Sequence, residues 1–391
     1  MKKAVILAAG EGQRLRPFTV TKPKAMLSIA GKPILQHVIE SLEQNGIRDV
    51  VIVVGYHREQ VFDYFGTGEQ FGIEIKYVVQ ERQLGTAHAL AQAKGSVKDE
   101  FILLPGDNLI DAGTIAKFAA NPPDSLLVKA VDNPSRYGMV VADGGLVKRI
   151  VEKPAVAESN MINTGIYNFS HCIFDFIGEK LDIPDVLNEM LEAGQPVQVL
   201  ETKGTWLDVV YPWDIVRLND AVLHRITARL GGTIESGATV KGQVSIGKDS
   251  VIRSGCYIFG PVIIGENCEI GPNVCVMPAT SIGNNVVISP FVVIENSAIG
   301  SDVTIGPASV IQDSVIDHGC IIKGHFDASS GEAEVKIGDE WHTVNAGAML
   351  GTDCKIGNSV AAQPGAIIGN YCEVQPMKLV AGSFPDRSRI Y

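Results

Sequence analysis

Several things are scarce in this 391-residue chain. No run of 18 apolar residues occurs, so no membrane-spanning helix is expected. The apolar run at residues 4–9 is too short for a secretory leader and ends in a turn of glycine and arginine. It reads as a strand, and the chain is expected to be cytoplasmic. Positive charge is in deficit, with 33 Lys and Arg against 44 Asp and Glu, and the net charge of −11 argues against nucleic acid as a partner. Aromatic residues are only 6%. Apolar residues at 46% still give enough material for packed cores, which excludes a disordered chain. Without a leader the seven cysteines have no oxidising compartment to pair in. Their odd number points to free thiols, with metal or catalytic use as the options to test.

What is abundant is glycine, 41 residues, about 10% against a usual ~7%. A length of 391 residues exceeds one compact core, so two or three domains are expected. Composition changes near residue 230: six of the seven cysteines follow it, and only Cys172 precedes it. Beyond that point an aliphatic residue recurs every six positions, from Ile234 through Val240, Ile246 and Ile252 to Ile294. The register slips by one to Ile299, slips again to Ile316, and resumes at Leu350. A period of six fits neither a helix nor an alternating strand. It fits the hexapeptide repeat of a parallel β-helix. Glycine often follows the aliphatic residue, as at Gly247, Gly265, Gly283 and Gly351, and is expected there for turns with positive φ. Cys256, Cys268, Cys320, Cys354 and Cys372 share a slot with valine and threonine, so they read as small core residues rather than metal ligands. The domains expected are 1–230, with a linker helix at 211–230, a β-helix over 231–382 interrupted at about 323–349, and a polar tail at 383–391.

The first half alternates apolar strand runs (4–7, 50–54, 75–79, 101–104) with helical patterns, which predicts an α/β domain with a mainly parallel, mixed sheet. Ligands of such sheets lie at the carboxyl ends of strands. After the first strand stands Leu7-Ala8-Ala9-Gly10-Glu11-Gly12-Gln13-Arg14-Leu15. It suits phosphates through its backbone N–H groups. It is no dinucleotide fingerprint, because Leu15 stands where the third glycine belongs, and no Walker loop, because no Gly-Lys-Ser/Thr follows. Further on come Thr21-Lys22-Pro23-Lys24, Gln80 at a strand end, Leu84-Gly85-Thr86-Ala87-His88-Ala89 and Pro105-Gly106-Asp107-Asn108. Asp107 is placed as a magnesium ligand or as a helix cap. Arg136-Tyr137-Gly138, Glu152-Lys153-Pro154, Asn163-Thr164-Gly165 and Trp206-Leu207-Asp208 complete the set.

This ordered set resembles the sugar-1-phosphate nucleotidylyltransferases, the group that contains glucose-1-phosphate thymidylyltransferases and N-acetylglucosamine-1-phosphate uridylyltransferases. The whole chain resembles the bifunctional archaeal form, in which a left-handed β-helix follows a Rossmann-like catalytic domain. The resemblance implies that Leu7, Ala8, Ala9, Gly10, Gly12, Gln80, Gly85 and Thr86 bind the nucleotide, with Gln80 and Gly85 reading the base edge. It implies that Arg14 and Lys24 bind the triphosphate and the departing pyrophosphate, and that Asp107 and Asp208 hold Mg²⁺. It implies that Gly138, Glu152, Lys153, Asn163 and Thr164 bind the sugar phosphate. UTP is the favoured donor, then dTTP, with glucose-1-phosphate or N-acetylglucosamine-1-phosphate as acceptor. In the bifunctional relatives the β-helix acetylates glucosamine-1-phosphate with acetyl-CoA. Here Asp313-Ser314-Val315 matches the anchor of that site, but Pro307 stands where the histidine aligns and no Asn-x-Gly-x-Gly-Thr follows. The alternatives for the β-helix are therefore a retained acetyltransferase using acetyl-CoA, or a scaffold. Either way a homo-oligomer is expected, a trimer or a multiple of three. A non-catalytic regulatory subunit is a further alternative, disfavoured because every charged catalytic position is filled.

Overall fold

The computed structural model describes residues 2–391. The chain divides into two compact units. The first comprises residues up to Glu11, Lys22–Met26 and Ile34–Asp208; the second comprises Gly12–Thr21, Leu27–Pro33 and Val209–Tyr391.

The first unit is built on a nine-stranded mixed sheet. Its strands run in the order Glu74–Val79, Asp49–Val54, Lys3–Ala8, Phe101–Pro105, Met161–Phe169, Ser125–Ala130, Gln198–Glu201, Leu146–Glu152 and Gly138–Asp143. The first four are parallel, and Met161–Phe169 runs antiparallel to both of its neighbours. The central strands are apolar on both faces, and alternate residues go to different cores. Ala4, Ile6 and Ala8 pack with Val50, Ile52 and Leu104, whereas Val5 packs with Val51, Val53 and Leu103. A sheet buried on both sides needs helices on both sides. Ile34–Glu43 contributes Leu35, Val38, Ile39 and Leu42 to one core; Ile183–Glu192 contributes Val186, Leu187 and Met190 to the other.

The second unit is a stack of three parallel sheets of nine, nine and eight short strands, consistent with a left-handed β-helix. Each coil spans 18 residues at first, with Ile246 beside Ile264 and Ile252 beside Ile270. Coils then shorten to 17 residues, placing Ile282 beside Ile299 and Ile299 beside Ile316, which is the physical form of the one-residue slips. The aliphatic residue of every hexad points inward into one continuous core. The interruption is narrower than 323–349. Ile321–Ile322 and Asp327–Ala328 remain in the stack, and only an antiparallel hairpin, Gly331–Ile337 with Glu340–Ala346, leaves it. The linker helix is also shorter than 211–230. It covers Asp214–Leu223, because Arg229–Leu230 already pairs with Ser245–Ile246 as the first coil. Residues 383–391 are not a loose tail. Ser383–Phe384 and Arg389–Ile390 form the last coil, shortened by two residues, with Phe384 and Ile390 against the core.

The glycines after the aliphatic residues serve a purpose other than the one expected. Of those at 247, 265, 271, 283, 300, 306, 351, 357 and 369, only Gly271 has positive φ. The left-handed corner three residues before the aliphatic is held most often by Asn and Asp, as at Asp249, Asn267, Asn273, Asn285, Asp302 and Asp353. The glycine is needed for close approach instead. A Cβ on Gly247 would lie 2.5 Å from the carbonyl of Gly265 on the next coil, and one on Gly283 would lie 2.6 Å from Ser301 N.

Cys256, Cys268, Cys320, Cys354 and Cys372 are buried core residues, and all seven cysteines are free thiols. Successive coils align Ser250, Cys268, Val286, Val303, Cys320, Cys354 and Cys372 in one column. The thiols of Cys268, Cys320 and Cys354 donate to the carbonyls of Gly283, Gly351 and Gly369 (3.1, 3.1 and 3.0 Å), so cysteine fills the slot and also satisfies a corner oxygen. Burial pushes the thiols of Cys256, Cys268 and Cys372 above their ordinary range, as in unreactive cysteines.

Candidate active site

The site lies where the parallel strands of the first unit end. Register aligns Ala8 with Val54, Val54 with Val79, and Leu7 with Pro105. The residues after those ends therefore stand in one row: Ala9-Gly10, Gly55, Gln80 and Gly106-Asp107. The row includes the point where the chain crosses from one side of Lys3–Ala8 to the other, the usual ligand crevice of such sheets. Small residues keep it shallow. A Cβ on Gly55 would lie 2.9 Å from Ala9 O, and one on Gly106 would lie 3.0 Å from Ala8 Cβ, while Gly10 faces open space.

Asp107 follows the strand Phe101–Pro105. The strand Trp206–Asp208 runs antiparallel to Asn108–Ile110 and puts Asp208 opposite Asn108. Two carboxylates a hundred residues apart in sequence are thus neighbours. Between them sits Lys24, with Nζ 2.6 Å from Asp107 Oδ2 and 3.5 Å from Asp208 Oδ1. All three side chains are largely shielded from water. Burial alone would lower the lysine's affinity for its proton. The carboxylates of Asp107 and Asp208 outweigh that and hold it above the ordinary lysine range. One ammonium and two carboxylates leave one negative charge, and both acceptors are hard oxygens. That donor set fits Mg²⁺, which takes one or two carboxylates and completes its shell with phosphate oxygens and water. Among the described residues no cluster of three or more His, Cys, Asp or Glu offers a closed metal cage.

Gln80 is buried, and its amide has a fixed orientation. Nε2 donates to Gly85 O (3.1 Å) and lies 2.9 Å from His88 Nδ1. Both amide hydrogens are used, so Oε1 is left as the acceptor that Gln80 offers to a ligand. His88 thus orients Gln80, a role not foreseen from the sequence. The signal available was its place three residues after Gly85, on the first turn of Thr86–Gln92. Gly85 has φ +154, and a Cβ there would come within 2.3 Å of Leu181 O. Thr86 is occupied structurally: its hydroxyl bonds Asp182 Oδ1 (3.2 Å) and accepts from Ile183 N–H (3.0 Å).

The residues expected to bind the sugar phosphate lie on or beside neighbouring antiparallel strands. Gly138 pairs with Glu152, and a Cβ on Gly138 would meet Glu152 Oε2 at 2.9 Å and Asn163 Cβ at 3.6 Å. Glycine at 138 therefore lets the carboxylate of Glu152 stand over the strand beside Asn163. Asn163 is held at both ends, by Tyr167 OH (2.7 Å) and Gly165 N–H (2.9 Å). Burial raises the Tyr167 phenol far above its usual range, so it stays a neutral partner for Asn163. Lys153 is exposed with φ +41, a strained backbone for a non-glycine residue. Thr164 differs from expectation: at the bulge between Asn163 and Tyr167 it turns inward, buried, donating to Leu127 O. Gly12 and Arg14 lie on Gly12–Thr21, the segment grouped with the second unit. There Gly12 has φ +75 at the start of the short turn Gln13–Leu15, and Arg14 is exposed.

Several known proteins are similar to this chain. Residues 258–342 match the GMPPB C-terminal domain. The bifunctional protein GlmU of Methanococcus maripaludis strain S2 is 35% identical over 260 residues, covering 64% of this chain and 61% of the relative. The bifunctional sugar-1-phosphate nucleotidylyltransferase/acetyltransferase of Sulfurisphaera tokodaii is 33% identical over 262 residues, 64% of this chain and 63% of the relative. A glucose-1-phosphate thymidylyltransferase of Streptomyces griseus is 31% identical over 264 residues, 64% of this chain and 74% of the relative. These matches to the bifunctional relatives thus span about three fifths of their length. The crystal structure of a putative glucose-1-phosphate thymidylyltransferase from Bacillus anthracis in complex with a sucrose covers 59% of this chain and 98% of its own, with a TM-score of 0.53 and 29% identity. Residues 3–225, more than half of the chain, match the nucleotidyl transferase family, and the chain belongs to that family.

Proposed function

We propose that the chain transfers a nucleotidyl group from UTP, and less readily from dTTP, to glucose-1-phosphate or N-acetylglucosamine-1-phosphate, releasing pyrophosphate. The observation that carries this reading is Lys24 held between Asp107 and Asp208 at the strand ends. A phosphate oxygen of the sugar phosphate attacks the α-phosphorus. The new O–P bond forms as the bond to the β-phosphate oxygen breaks, and its electron pair leaves with pyrophosphate. The nucleophile is largely ionised at neutral pH, since its second pKa is about 6. No side chain has to remove a proton, so Asp107 and Asp208 are assigned to cation binding. Mg²⁺ bound there would neutralise phosphate charge. Lys24 and Arg14 supply the cationic groups for the triphosphate and leaving group. Glu152 and Asn163 meet sugar hydroxyls, and Lys153 meets the sugar phosphate.

Gln80 supports the base preference. Its remaining Oε1 accepts from the N3–H of uracil or thymine, whereas cytosine and adenine present a lone pair at the corresponding ring nitrogen. Pyrophosphate release from UTP, dTTP, CTP and ATP against both sugar phosphates tests this. UTP should lead, dTTP should follow, and CTP and ATP should fall about tenfold or more below. Preference for CTP or ATP would overturn the assignment of the base, and no release with any pair would overturn the reaction.

We assign the β-helix to scaffolding and self-association rather than acetyl transfer. His318 is exposed and paired with Asp302, and His325 occupies a left-handed corner. One sheet of the stack turns Tyr257, Cys275, Val293 and Val310 outward in one row, which Asp327 interrupts before Ala361 and Leu379. That row is where copies of the chain would pack as a trimer. Light scattering checks the mass, and thiol release from acetyl-CoA and glucosamine-1-phosphate would contradict the scaffold assignment.

A further inference from the structure

Two fully buried asparagines of the second unit hold the backbone of short N-terminal segments. Asn370 donates through Nδ2 to Pro17 O and to Asp386 Oδ1 (both 3.0 Å), while its Oδ1 accepts from Thr352 N–H (2.8 Å). Asn219, on the helix Asp214–Leu223, accepts at Oδ1 from Ala30 N–H (2.9 Å) and donates to Ala279 O (3.0 Å). Both side chains are 0% exposed.

Half of the Asn370 arrangement is ordinary β-helix construction. At the equivalent position of other hexads, Asn284 Oδ1 at the same corner accepts from Glu266 N–H (2.8 Å) and Asn358 Oδ1 at another corner accepts from Gly324 N–H (3.2 Å), and both residues are exposed. The donor half differs. At Asn370 it is buried and turned to Pro17, whose carbonyl also accepts from Val20 N–H. The segment so held is closed on itself: Leu15 N–H and the Thr19 hydroxyl both bond Gly12 O (2.9 and 2.8 Å), and Phe18 and Thr19 are buried.

The two fastened segments bracket Lys24. Chain connectivity runs from Gly12–Thr21, held at Pro17, through Lys22–Met26 of the first unit, into Leu27–Pro33, held at Ala30. Lys24 lies seven residues after one anchor and six before the other. Arg14 lies inside the first fastened segment. We propose that Asn370 and Asn219 are positioning residues for nucleotidyl transfer, fixing the chain that presents Arg14 and Lys24 to the triphosphate. This rests on the roles given above to those two cations.

The test uses the full chain with Asn370→Asp, which keeps an oxygen for Thr352 N–H but removes the donors facing Pro17 O and Asp386 Oδ1. Asn358→Asp is the control, the equivalent hexad position at another corner, without that donor contact. Steady-state KM for UTP and for sugar phosphate is measured beside hydrogen–deuterium exchange over residues 12–21. Expected for Asn370→Asp, which loses the hydrogen bonds to Pro17 O and to Asp386, is a rise of about tenfold or more in KM for UTP, with KM for the sugar phosphate unchanged and faster exchange at 12–21. The control should change none of these. Unchanged exchange, or faster exchange with both KM values unmoved or equally raised, would overturn the proposal. Where Asn370→Asp does not fold, Asn219→Asp read over residues 27–33 decides by the same criteria. If the wild type releases no pyrophosphate, the proposed reaction fails, and the exchange data alone decide whether the fastening exists.

Discussion

The two units use glycine for opposite ends. In the α/β unit, Gly10 faces open space and Gly138 leaves room for the carboxylate of Glu152, so at these two positions the missing Cβ keeps space clear for side chains and ligands. In the β-helix, Gly247, Gly265 and Gly283 have the next coil's backbone within 2.7 Å of where a Cβ would be, so the missing Cβ makes a place for the fold. Buried polarity differs as well. The first unit concentrates charge, with Lys24 between two carboxylates. The second spreads neutral donors, each matched to one carbonyl, as in the thiol column. Residue type alone does not separate chemistry from architecture; the atoms that face it do.

The sharpest way to break this contrast is Lys24→Met. Losing a cation aimed at developing charge should lower kcat by about a hundredfold or more in a pyrophosphate-coupled assay. The wild-type pH profile sharpens the same point. Because the folded pKa of Lys24 lies above its unfolded value, its contribution to stability is complete below the ordinary lysine range, near pH 10.5, and is lost only as pH rises through the folded value. Melting temperatures from pH 7 to 9 should therefore show no loss attributable to Lys24. Next comes Gly283→Ala, which should cost about 1–3 kcal/mol by overpacking, seen as a lower melting temperature with kcat retained. Gly138→Ala should do the reverse. Its clash is with a flexible carboxylate, so stability should hold while KM for the sugar phosphate rises by about tenfold. The smallest effect is Cys268→Val, which keeps the volume and removes one thiol donor. It should cost about 1 kcal/mol or less, with unchanged activity.

Much of the architecture is legible in the sequence because burial is periodic. One inward residue per hexad is a local signal, and so are the four parallel strand runs. What escapes is whatever depends on contacts between distant residues. The period of six is visible, but the reason for Gly247 and Gly283 lies a full coil away, where the next backbone passes. The last coil reads as a tail because its shortened turns break the period. The shielding of Asp208 beside Asp107 depends on a strand pair a hundred residues apart. Motif membership also blurs two jobs. Thr86 and Thr164 sit among binding residues, yet their hydroxyls are spent on Asp182, Ile183 and Leu127. Gly12 and Arg14 read as one loop with Gly10, and only the fold shows that their segment belongs with the β-helix.

The most direct measurement is the turnover number of Asp107→Asn beside wild type, with UTP, sugar phosphate and Mg²⁺ saturating and pyrophosphate as the readout. A carboxylate that holds the cation predicts a fall of at least about a hundredfold at an unchanged melting temperature. Near-wild-type turnover would contradict the assignment of chemistry to the Lys24–Asp107–Asp208 cluster.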